Sequence, residues 1–361
     1  MRSPRVPLLT FLLVLGLLAA TSHPALAAEI QCGSQLGPGG TFVLNRDLTC
    51  PPDPSDDYKP ALIVIGGAKL NLNGHTVSCG GEEGSRGRQF GIEVFNSTLR
   101  NGTVTGCGEA VRARASIVKH VTVTRSGFGI YMQLAHDSLI TGNTATQNAI
   151  GFGLEDGAQR NTFINNIATE NDLGFYADSG ADNVFIGNTA TNNGRAGFNL
   201  AGERLRLTGN NSLHNGVGFS FTSTGQVEIV GNVAKGNLTH GFSFELLGHG
   251  GDVRMVVRDN LARRNGGDGF VIGPAFEAPG DASANLLQNN HATNNKGHGI
   301  HVIVGLAYPP RLLFSHATIA GNTSIGHTAP HFDLADDNAD CQEGTVWQDN
   351  NFRTASQSCI E

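Results

Sequence analysis

Polar and apolar residues recur along this chain in columns about 22 residues apart, and each column keeps one kind of side chain. The first column is an asparagine that follows Gly, Asn or Asp, with steps of 23, 22, 22, 22, 28, 30 and 32 residues. Its members are Asn143, Asn166, Asn188, Asn210, Asn232, Asn260, Asn290 and Asn322. Two residues later only Ala or Ser occurs. Five residues later a second asparagine column runs from Asn148 to Asn295 and is interrupted at His327.

A third column carries the hydrophobic pattern that predicts strands. In each repeat a glycine precedes an apolar residue, and another apolar residue follows two places later. The glycines are Gly129, Gly151, Gly174, Gly197, Gly218, Gly241, Gly269 and Gly299, and most of the residues after them are Phe. Apolar residues at every second position are typical of a half-buried β-strand. The pattern therefore predicts several short strands and tight turns in each repeat.

Such a short unit cannot bury its apolar face alone, but stacked units bury a continuous core. Equivalent residues then lie about 4.8 Å apart on successive rungs. The Phe column would fill the core, and the asparagine columns would hydrogen-bond from rung to rung, as side-chain ladders do in stacked strands. The repeat thus predicts a coiled tube of parallel sheets.

Residues near the start resemble those of the pectate-lyase-like parallel β-helix proteins, especially the bacterial secreted and periplasmic repeat proteins. The resemblance is carried by Leu70–Val77 (LNLNGHTV), by Cys32-Gly33 and by Asp47–Cys50 (DLTC), together with the columns. It implies an all-β fold, a single-stranded right-handed parallel β-helix (solenoid) with disulfide-stapled end caps. The family contains lyases, hydrolases, epimerases and non-enzymes, so the resemblance specifies the fold better than the activity.

The N-terminus predicts a secretory signal peptide, with a basic start, the apolar run Pro7–Ala20 and the small-residue site Ala25-Leu26-Ala27. We expect a signal peptide at 1–27, an N-terminal cap segment at 28–58, the β-helix at 59–340 and a C-terminal rung and cap at 341–361. No later stretch approaches the roughly 20 apolar residues of a membrane span. We therefore expect a secreted or periplasmic monomer.

Six cysteines in a secreted chain predict disulfides. Cys79 and Cys107 each lie six residues after the Asn of an Asn-Gly pair. Equivalent places on adjacent rungs are about 5 Å apart, which suits a disulfide. The other four cysteines bracket the two ends of the tube, where strand edges need covering. We interpret them as cap staples, Cys32 with Cys50 and Cys341 with Cys359.

The net charge and the sequence motifs limit the classes of ligand and of enzyme to be considered. The formal net charge of −7, without a Lys/Arg cluster, argues against nucleic acid and weakens a role in gripping acidic polysaccharides. The ordered Asn-Thr-Asp, Asp-Asp and Gly-His-Gly motifs of polygalacturonase-like enzymes are absent, as is the Tyr-Gly-x-Asp-Pro-His stretch of alginate epimerase-like enzymes.

The outward positions of the Gly-Phe strands give a candidate site. Glu155 and Asp178 occupy one outward column on adjacent rungs, with Gln133 before them and Tyr131 and Tyr176 beside them. Close carboxylates suit acid/base chemistry or calcium binding, and exposed Tyr rings stack on sugars. We interpret Glu155 and Asp178 as catalytic candidates and the other three residues as substrate-binding candidates. The alternative is two solvated surface acids.

A second constellation lies just before the column glycines on successive rungs, where earlier rungs carry apolar residues. It consists of His240, Asp268 and His298, with His301 nearby. Zinc or copper ligation is one interpretation. A tube end that opens to solvent is the other, and the sequence leaves any metal unidentified.

These observations favour a secreted protein that binds an extracellular polysaccharide or surface glycan. If it also cleaves that ligand, it would act as a polysaccharide lyase or a glycoside hydrolase. The alternative is a non-enzymatic interaction scaffold at the cell surface or in the periplasm. The repeat is also similar to that of the periplasmic copper-accessory proteins of nitrous oxide reductase. Three methionines and the lack of a cysteine pair free for metal argue against copper handling.

Overall fold

The computed structural model describes residues 29–53, 59–80, 89–245, 254–273, 285–303, 317–327, 330–337 and 345–360. The chain divides into two compact units, Met1–Ile30 and Gln31–Glu361. Only two residues of the first unit are described, so the predicted signal peptide lies outside the described residues. Every regular element among the described residues of the second unit is a β-strand, and these strands pair in parallel.

The strands form three parallel sheets, each of which receives about one strand from every rung. Sheet 1 contains β1 (Ser34–Leu36), β4 (Leu62–Ile65), β7 (Phe90–Phe95), β9 (Glu109–Arg114), β11 (Phe128–Gln133), β14 (Ile150–Glu155), β17 (Leu173–Ala177), β20 (Ala196–Gly202), β23 (Val217–Thr224), β26 (Phe242–Glu245), β29 (Phe270–Ile272), β32 (Ile300–Val302) and β35 (Leu334–Asp336). Sheet 2 contains β2 (Thr41–Val43), β5 (Lys69–Asn71), β8 (Thr98–Thr105), β10 (Ile117–Thr124), β12 (Leu139–Thr141), β15 (Thr162–Ile164), β18 (Val184–Ile186), β21 (Leu205–Thr208), β24 (Gln226–Val230), β27 (Arg254–Arg258), β30 (Asn285–Gln288), β33 (Ala317–Ala320) and β36 (Val346–Gln348).

Sheet 3 contains β3 (Leu48–Thr49), β6 (Thr76–Ser78), β13 (Thr144–Thr146), β16 (Ile167–Thr169), β19 (Thr189–Thr191), β22 (Asn211–Leu213), β25 (Val233–Lys235), β28 (Leu261–Arg263), β31 (His291–Thr293) and β34 (Thr323–Ile325). The long strands β8 and β10 belong to both sheets, because their first halves pair in sheet 2 and their second halves in sheet 3. The predicted right-handed parallel β-helix is therefore confirmed.

The predicted Phe column is confirmed as a continuous stack along the inner side of sheet 1. Phe152, Phe175, Phe198, Phe219, Phe242 and Phe270 are fully buried, and neighbouring rings stack with centroids 4.6–4.8 Å apart. The alternation of the strands places these rings inward and the residues after them outward. The register holds because a slip of one residue would bring every Phe of a strand to the solvent face.

Both asparagine columns are ladders at the corners of the tube. Asn143 donates from its side chain to the Oδ1 of Asn166, which donates to Asn188 in the same way, each bond being 3.0 Å long. The second column ends in a chemical replacement. The backbone N–H of Asn295 donates to Nε2 of His327 at 3.3 Å, so the imidazole takes the acceptor role of the missing asparagine. These bonds satisfy backbone groups that the corners would otherwise leave unpaired.

Two of the three predicted disulfides are present. Cys32 is bonded to Cys50 and Cys79 to Cys107, with Cα atoms 5.5 and 5.1 Å apart. Cys341 lies outside the described residues, so its pairing with Cys359 stays a prediction. Strands β1, β2 and β3 already pair with β4, β5 and β6, which places the first disulfide on the first rung of the tube.

Candidate functional site

The outer face of sheet 1 carries a group of aromatic and charged side chains over the rungs from β7 to β17. We call this group the aromatic–carboxylate face. It consists of Phe90, Glu93, Glu109, Arg112, Phe128, Tyr131, Glu155 and Tyr176. Parallel pairing places Glu93, Arg112 and Tyr131 in one column, because each is the register partner of the next.

Arg112 is the centre of this face. Its guanidinium donates two hydrogen bonds to the carboxylate of Glu109, at 2.8 and 2.9 Å, and lies 3.8 Å from Glu93. It also covers the ring of Phe90 at 4.0 Å from the centroid. A bidentate, aromatic-stacked arginine is fixed in geometry as well as charge. Arg112 therefore holds the carboxylates of Glu109 and Glu93 in place on the outer side of sheet 1.

Both of these carboxylates have raised pKa values. Burial raises the pKa of Glu109, and the hydrogen bonds and charge of Arg112 oppose that effect without cancelling it. Burial likewise raises the pKa of Glu93 against the attraction of Arg112. The side chains of Glu93 and Glu109 are only 15% and 14% exposed. A carboxyl group with a raised pKa is nearer to the protonation change that acid/base chemistry requires.

Tyr131 is buried, which corrects the expectation of an exposed sugar-stacking ring. It is 5% exposed, because its ring packs at 4.5 Å from that of Phe128 and its hydroxyl donates to Glu155 at 2.7 Å. Burial and the hydrogen bond to Glu155 raise its pKa above the ordinary value. Gly153 stands opposite Tyr131 on the next rung, and a Cβ there would lie 3.1 Å from Phe128. Because Gly153 has no side chain, the rings of Phe128 and Tyr131 can lie against the surface of the sheet.

Glu155 and Asp178 do lie on adjacent rungs, since Leu154 and Ala177 are register partners. Their carboxylates bond to different groups, Glu155 to Tyr131 and Asp178 to the hydroxyl of Ser179 at 2.8 Å. Glu155 is half-buried and Asp178 exposed just after the end of β17. The arrangement resembles two separately satisfied acids more than one shared carboxylate site.

Gln133 and Tyr176 complete the predicted set. Gln133 donates to the carboxylate of Asp156 at 2.6 Å, so it also engages the following rung. Tyr176 is half-buried and lies beside Gly153, and burial raises its pKa. Of the two tyrosine rings predicted to stack on sugars, that of Tyr176 is partly exposed to solvent.

The predicted His-Asp-His column forms an imidazole cluster further along the same face. The cluster consists of His240, Asp268, His298, His301 and Asp337. The carboxylate of Asp268 bonds to Nδ1 of His301 at 3.0 Å and accepts from the backbone N–H of His298. The other ring nitrogen of His301 lies 3.3 Å from Asp337.

The remaining imidazoles also use one ring nitrogen within the protein. Nδ1 of His298 accepts from the backbone N–H of Phe332 at 2.9 Å, and Nδ1 of His240 accepts from that of Asp268 at 3.1 Å. Over the described ranges, no group of three or more His, Cys, Asp or Glu side chains is arranged to hold a metal ion. Among the described residues, this column gives no support to the zinc or copper interpretation, which stays a hypothesis. The cluster is a hydrogen-bonded network.

The charges of this network shift pKa values in opposite directions. Burial alone would lower the pKa of His301, but the bonds and charges of Asp268 and Asp337 outweigh it and raise the pKa above 6.5. Burial would raise the pKa of Asp268, but hydrogen bonds from His301 and His298 and the charge of His240 lower it below 3.8. For His298, burial and the neighbouring charge of His301 lower the pKa.

This network predicts a pH dependence of stability. The contribution of His301 is fully present below about pH 6.5 and is lost as the pH rises through its raised pKa. The contribution of Asp268 is present above about pH 3.8 and is lost as the pH falls through its lowered pKa. His301→Gln should therefore destabilise most near about pH 5.5 and least near about pH 8.5, as measured by urea unfolding.

His291→Gln is the matched control, because His291 is an exposed strand residue outside the cluster. It should cost the same at both pH values. If the cost of His301→Gln were also independent of pH, the ion pair with Asp268 would not exist in solution.

Sequence reasoning missed Glu93, Glu109 and Arg112, which are the most constrained groups of the face. The signal was present in the alternation Gly91-Ile92-Glu93-Val94 and Ala110-Val111-Arg112-Ala113, which aligns with the Gly-Ile strand at Gly129. The rung step there is 19 residues rather than 22, and Ala110 replaces the column glycine. These residues would have been found if the column had been extended towards the N-terminus with a variable repeat length.

Comparison with solved structures shows the same fold in proteins of low sequence identity. The A-module of mannuronan C-5 epimerase AlgE6 from Azotobacter vinelandii is 17% identical, with a TM-score of 0.58 over 88% of this chain and 87% of that chain. The AlgE4 A-module from the same organism is 15% identical, with a TM-score of 0.59 over 88% of each chain. The catalytic unit of a GH87 α-1,3-glucanase from Streptomyces thermodiastaticus is 12% identical, with a TM-score of 0.52 over 91% of this chain and 65% of that one.

Comparison with curated proteins gives no significant match. The described residues include no helix long and apolar enough to span a membrane. The two disulfides are consistent with an extracytoplasmic location.

A family comparison covers most of the tube. The family model described as periplasmic copper-binding protein (NosD) matches residues 82–249 and, in a second overlapping alignment, residues 168–329. The two matches together extend over residues 82–329, well over half of the chain. The asparagine ladders and the Phe stack of the fold lie largely within this region. On this basis the chain belongs to the NosD family of parallel β-helix proteins.

Proposed function

We propose that this protein binds a polysaccharide outside the cytoplasm, in the periplasm or after secretion, along the outer face of sheet 1. The observation that supports this most directly is the aromatic–carboxylate face itself. Partly exposed rings of Phe128 and Tyr176 lie beside carboxylates and a fixed guanidinium on a flat strand surface. Rings supply apolar contact for the carbon faces of a sugar, and fixed polar groups supply hydrogen bonds to its hydroxyls.

The charge of this face selects the kind of polysaccharide. From β7 to β17, the strands of sheet 1 and the residues directly after them carry five carboxylates and two guanidinium groups, namely Glu93, Glu109, Glu155, Asp156 and Asp178 against Arg112 and Arg114. Arg112 is already paired with Glu109 and Glu93. Repulsion would therefore oppose a polymer with a negative charge on each sugar, and like charges brought together at an interface cost affinity. A neutral glycan is the ligand that this face favours.

The epimerase modules and the glucanase show that this fold accommodates polysaccharide chemistry in other proteins. Mannuronan is the polymer named for the epimerases, and an α-1,3-glucan for the glucanase. At 12–17% identity these likenesses establish only the fold of the present chain. They support the proposal as precedents on the same architecture.

Copper binding, which the family description names, is not supported by the described residues. Met132 and Met255 are 0% and 1% exposed in the core of the tube, and Met1 lies outside the described residues. The described cysteines are in disulfides. In the imidazole cluster, Nδ1 of His240, Nδ1 of His298 and both ring nitrogens of His301 are engaged in contacts within the protein. Soft thiolate and thioether ligands, which copper(I) prefers, are thus not available on the described surface.

Binding assays with glycan panels test the proposal. The parent protein is titrated with neutral gluco-, galacto- and manno-oligosaccharides and with polygalacturonate, and the reaction mixtures are assayed for new reducing ends and unsaturated sugars. Tyr176→Ala should weaken binding of a neutral oligosaccharide about tenfold, or ~1.4 kcal/mol. Glu155→Gln and Asp178→Asn should weaken it too while leaving the melting temperature equal or higher, since each removes one charge from an acidic face.

Glu170→Gln and Asp172→Asn are the matched controls, because both acids are exposed in the turn between β16 and β17, before the start of the sheet 1 strand that Asp178 follows. They should leave affinity unchanged. New reducing ends would add hydrolysis to the binding function, and unsaturated products would add lyase activity. Absence of binding to any oligosaccharide would refute the proposal and leave an interaction scaffold as the alternative.

A further inference from the structure

A second surface lies around the corner from the aromatic–carboxylate face. Where sheet 1 turns into sheet 2, a groove of about 620 Å³ opens over the rungs of β18, β21, β24 and β27. Its charged and polar lining consists of Asp182, Arg204, Arg206, Gln226, Glu228 and Arg254, and Val184 and Val256 lie between them. This surface plays no part in the proposed glycan site.

The groove opens because the corner of the tube changes shape there. On four earlier rungs the corner residue has a positive φ of 50–58°, at Asp137, Arg160, Asp182 and Arg204. The next residue in that column, Gln226, is already the first residue of strand β24. The pairing of β20 with β23 also shifts register between Leu200 and Gly202. The outer surface therefore loses its regular corner at this rung.

The same change ends a ladder of alternating charges. Arg160 donates two bonds to Asp137, at 2.8 and 3.1 Å, and Arg204 donates two bonds to Asp182, at 2.8 and 3.0 Å. Arg254 pairs in register with the neutral Gln226. Arg254 is exposed, and no described residue forms an ion pair with it. It is thus an exposed guanidinium whose charge no described carboxylate neutralises.

Arg206 adds a second available guanidinium. It is 69% exposed and lies 3.9 Å from Glu228, too far for a hydrogen bond. Glu228 is shared with Arg258, which lies 3.8 Å away on the other side. Exposed pairs of this kind contribute little and exchange readily with a better ligand. Arg206 and Arg254 therefore both retain donors that face solvent in the groove.

We infer that this groove is a binding site for a sugar that carries an oxyanion, either a carboxylate or a sulfate ester. Two guanidinium groups provide the planar, charge-assisted donors that such groups accept. Val184 and Val256 are half-buried and provide apolar contact beside them. The groove and the aromatic–carboxylate face would thus take ligands of different charge, acidic sugars in the groove and neutral sugars on sheet 1.

Calorimetric titration of the whole protein at low ionic strength tests this inference. The probes are trigalacturonate, inorganic sulfate and neutral maltotriose. Trigalacturonate should bind with saturation, and Arg206→Gln and Arg254→Gln should each weaken it about tenfold or more, because each removes a charge-assisted donor. Arg160→Gln is the matched control, an arginine of the same corner column that lies outside the groove. It should leave binding unchanged.

Saturable binding of sulfate that depends on both arginines supports the oxyanion site, and the tighter of the two anionic probes identifies the preferred group. Equal losses in Arg160→Gln would mean unspecific attraction and would overturn the inference, as would lack of binding by both anions or equal binding of maltotriose in the groove. Because neutral glycan binding is measured separately on Tyr176→Ala, failure here leaves the function proposed for sheet 1 untouched.

Discussion

Phe198→Ala should lower the free energy of unfolding by about 3–5 kcal/mol. Phe198 is completely buried and lies in the Phe stack between Phe175 and Phe219, with ring centroids 4.6 and 4.7 Å away. Truncation removes the transfer free energy of the ring and leaves a cavity that the neighbouring rungs cannot close, because their spacing is fixed by strand pairing. Chemical denaturation followed by circular dichroism would measure the loss.

Leu238→Ala provides the comparison, since Leu238 is 74% exposed. It should change stability by less than about 0.5 kcal/mol. A cost below about 1 kcal/mol for Phe198→Ala would place that ring in solvent and reverse the inward and outward faces of sheet 1.

Asn188→Ala should cost at least about 3 kcal/mol, although it removes less apolar surface. The side chain of Asn188 is fully buried. Its Oδ1 accepts from the backbone and side-chain nitrogens of Asn166 at 2.9 and 3.0 Å, and its Nδ2 donates to the carbonyl of Phe163 and to Asn210. Truncation leaves several buried groups without partners, and each costs about 1–3 kcal/mol.

Asn199→Ala separates this effect from the loss of an asparagine in general. Asn199 lies on the outer side of β20 and is only half-buried. The same denaturation experiment should give it a cost below about 1 kcal/mol. Equal costs for the two substitutions would show that the ladder contributes nothing beyond ordinary surface asparagines.

The fold was predictable because a parallel β-helix repeats one environment at every rung. Phe198 is surrounded by the same kinds of side chain as Phe175 and Phe219. Residues that recur at one position of the repeat in the sequence therefore lie above one another in the structure. The limits arise where the repeat changes. His327 interrupts the second asparagine column in the sequence, yet its ring nitrogen accepts the same backbone bond as an asparagine oxygen. Matching the columns by residue type does not reveal that His327 and an asparagine can accept the same hydrogen bond.

The candidate site was predictable only in part, because it depends on the conformations that the outward side chains adopt. The columns predict that Tyr131 points outward. They do not show that Gly153 leaves space for its ring to pack against the sheet and for its hydroxyl to donate to Glu155. The hydrogen bonds of the histidine column were not predictable for a related reason. Which groups the ring nitrogens bond, here Asp268 and two backbone N–H groups, is set by side-chain rotation rather than by position in the repeat.

Hydroxyl-radical footprinting tests most directly whether a neutral glycan lies on the outer face of sheet 1. The neutral oligosaccharide that binds best in the panel is added at saturation, and oxidation of aromatic side chains is compared with the free protein by peptide mass spectrometry. Phe128 and Tyr176 are partly exposed in the free protein and should become protected. Protection elsewhere, with Phe128 and Tyr176 oxidised at the same rate as before, would contradict the assignment of this face.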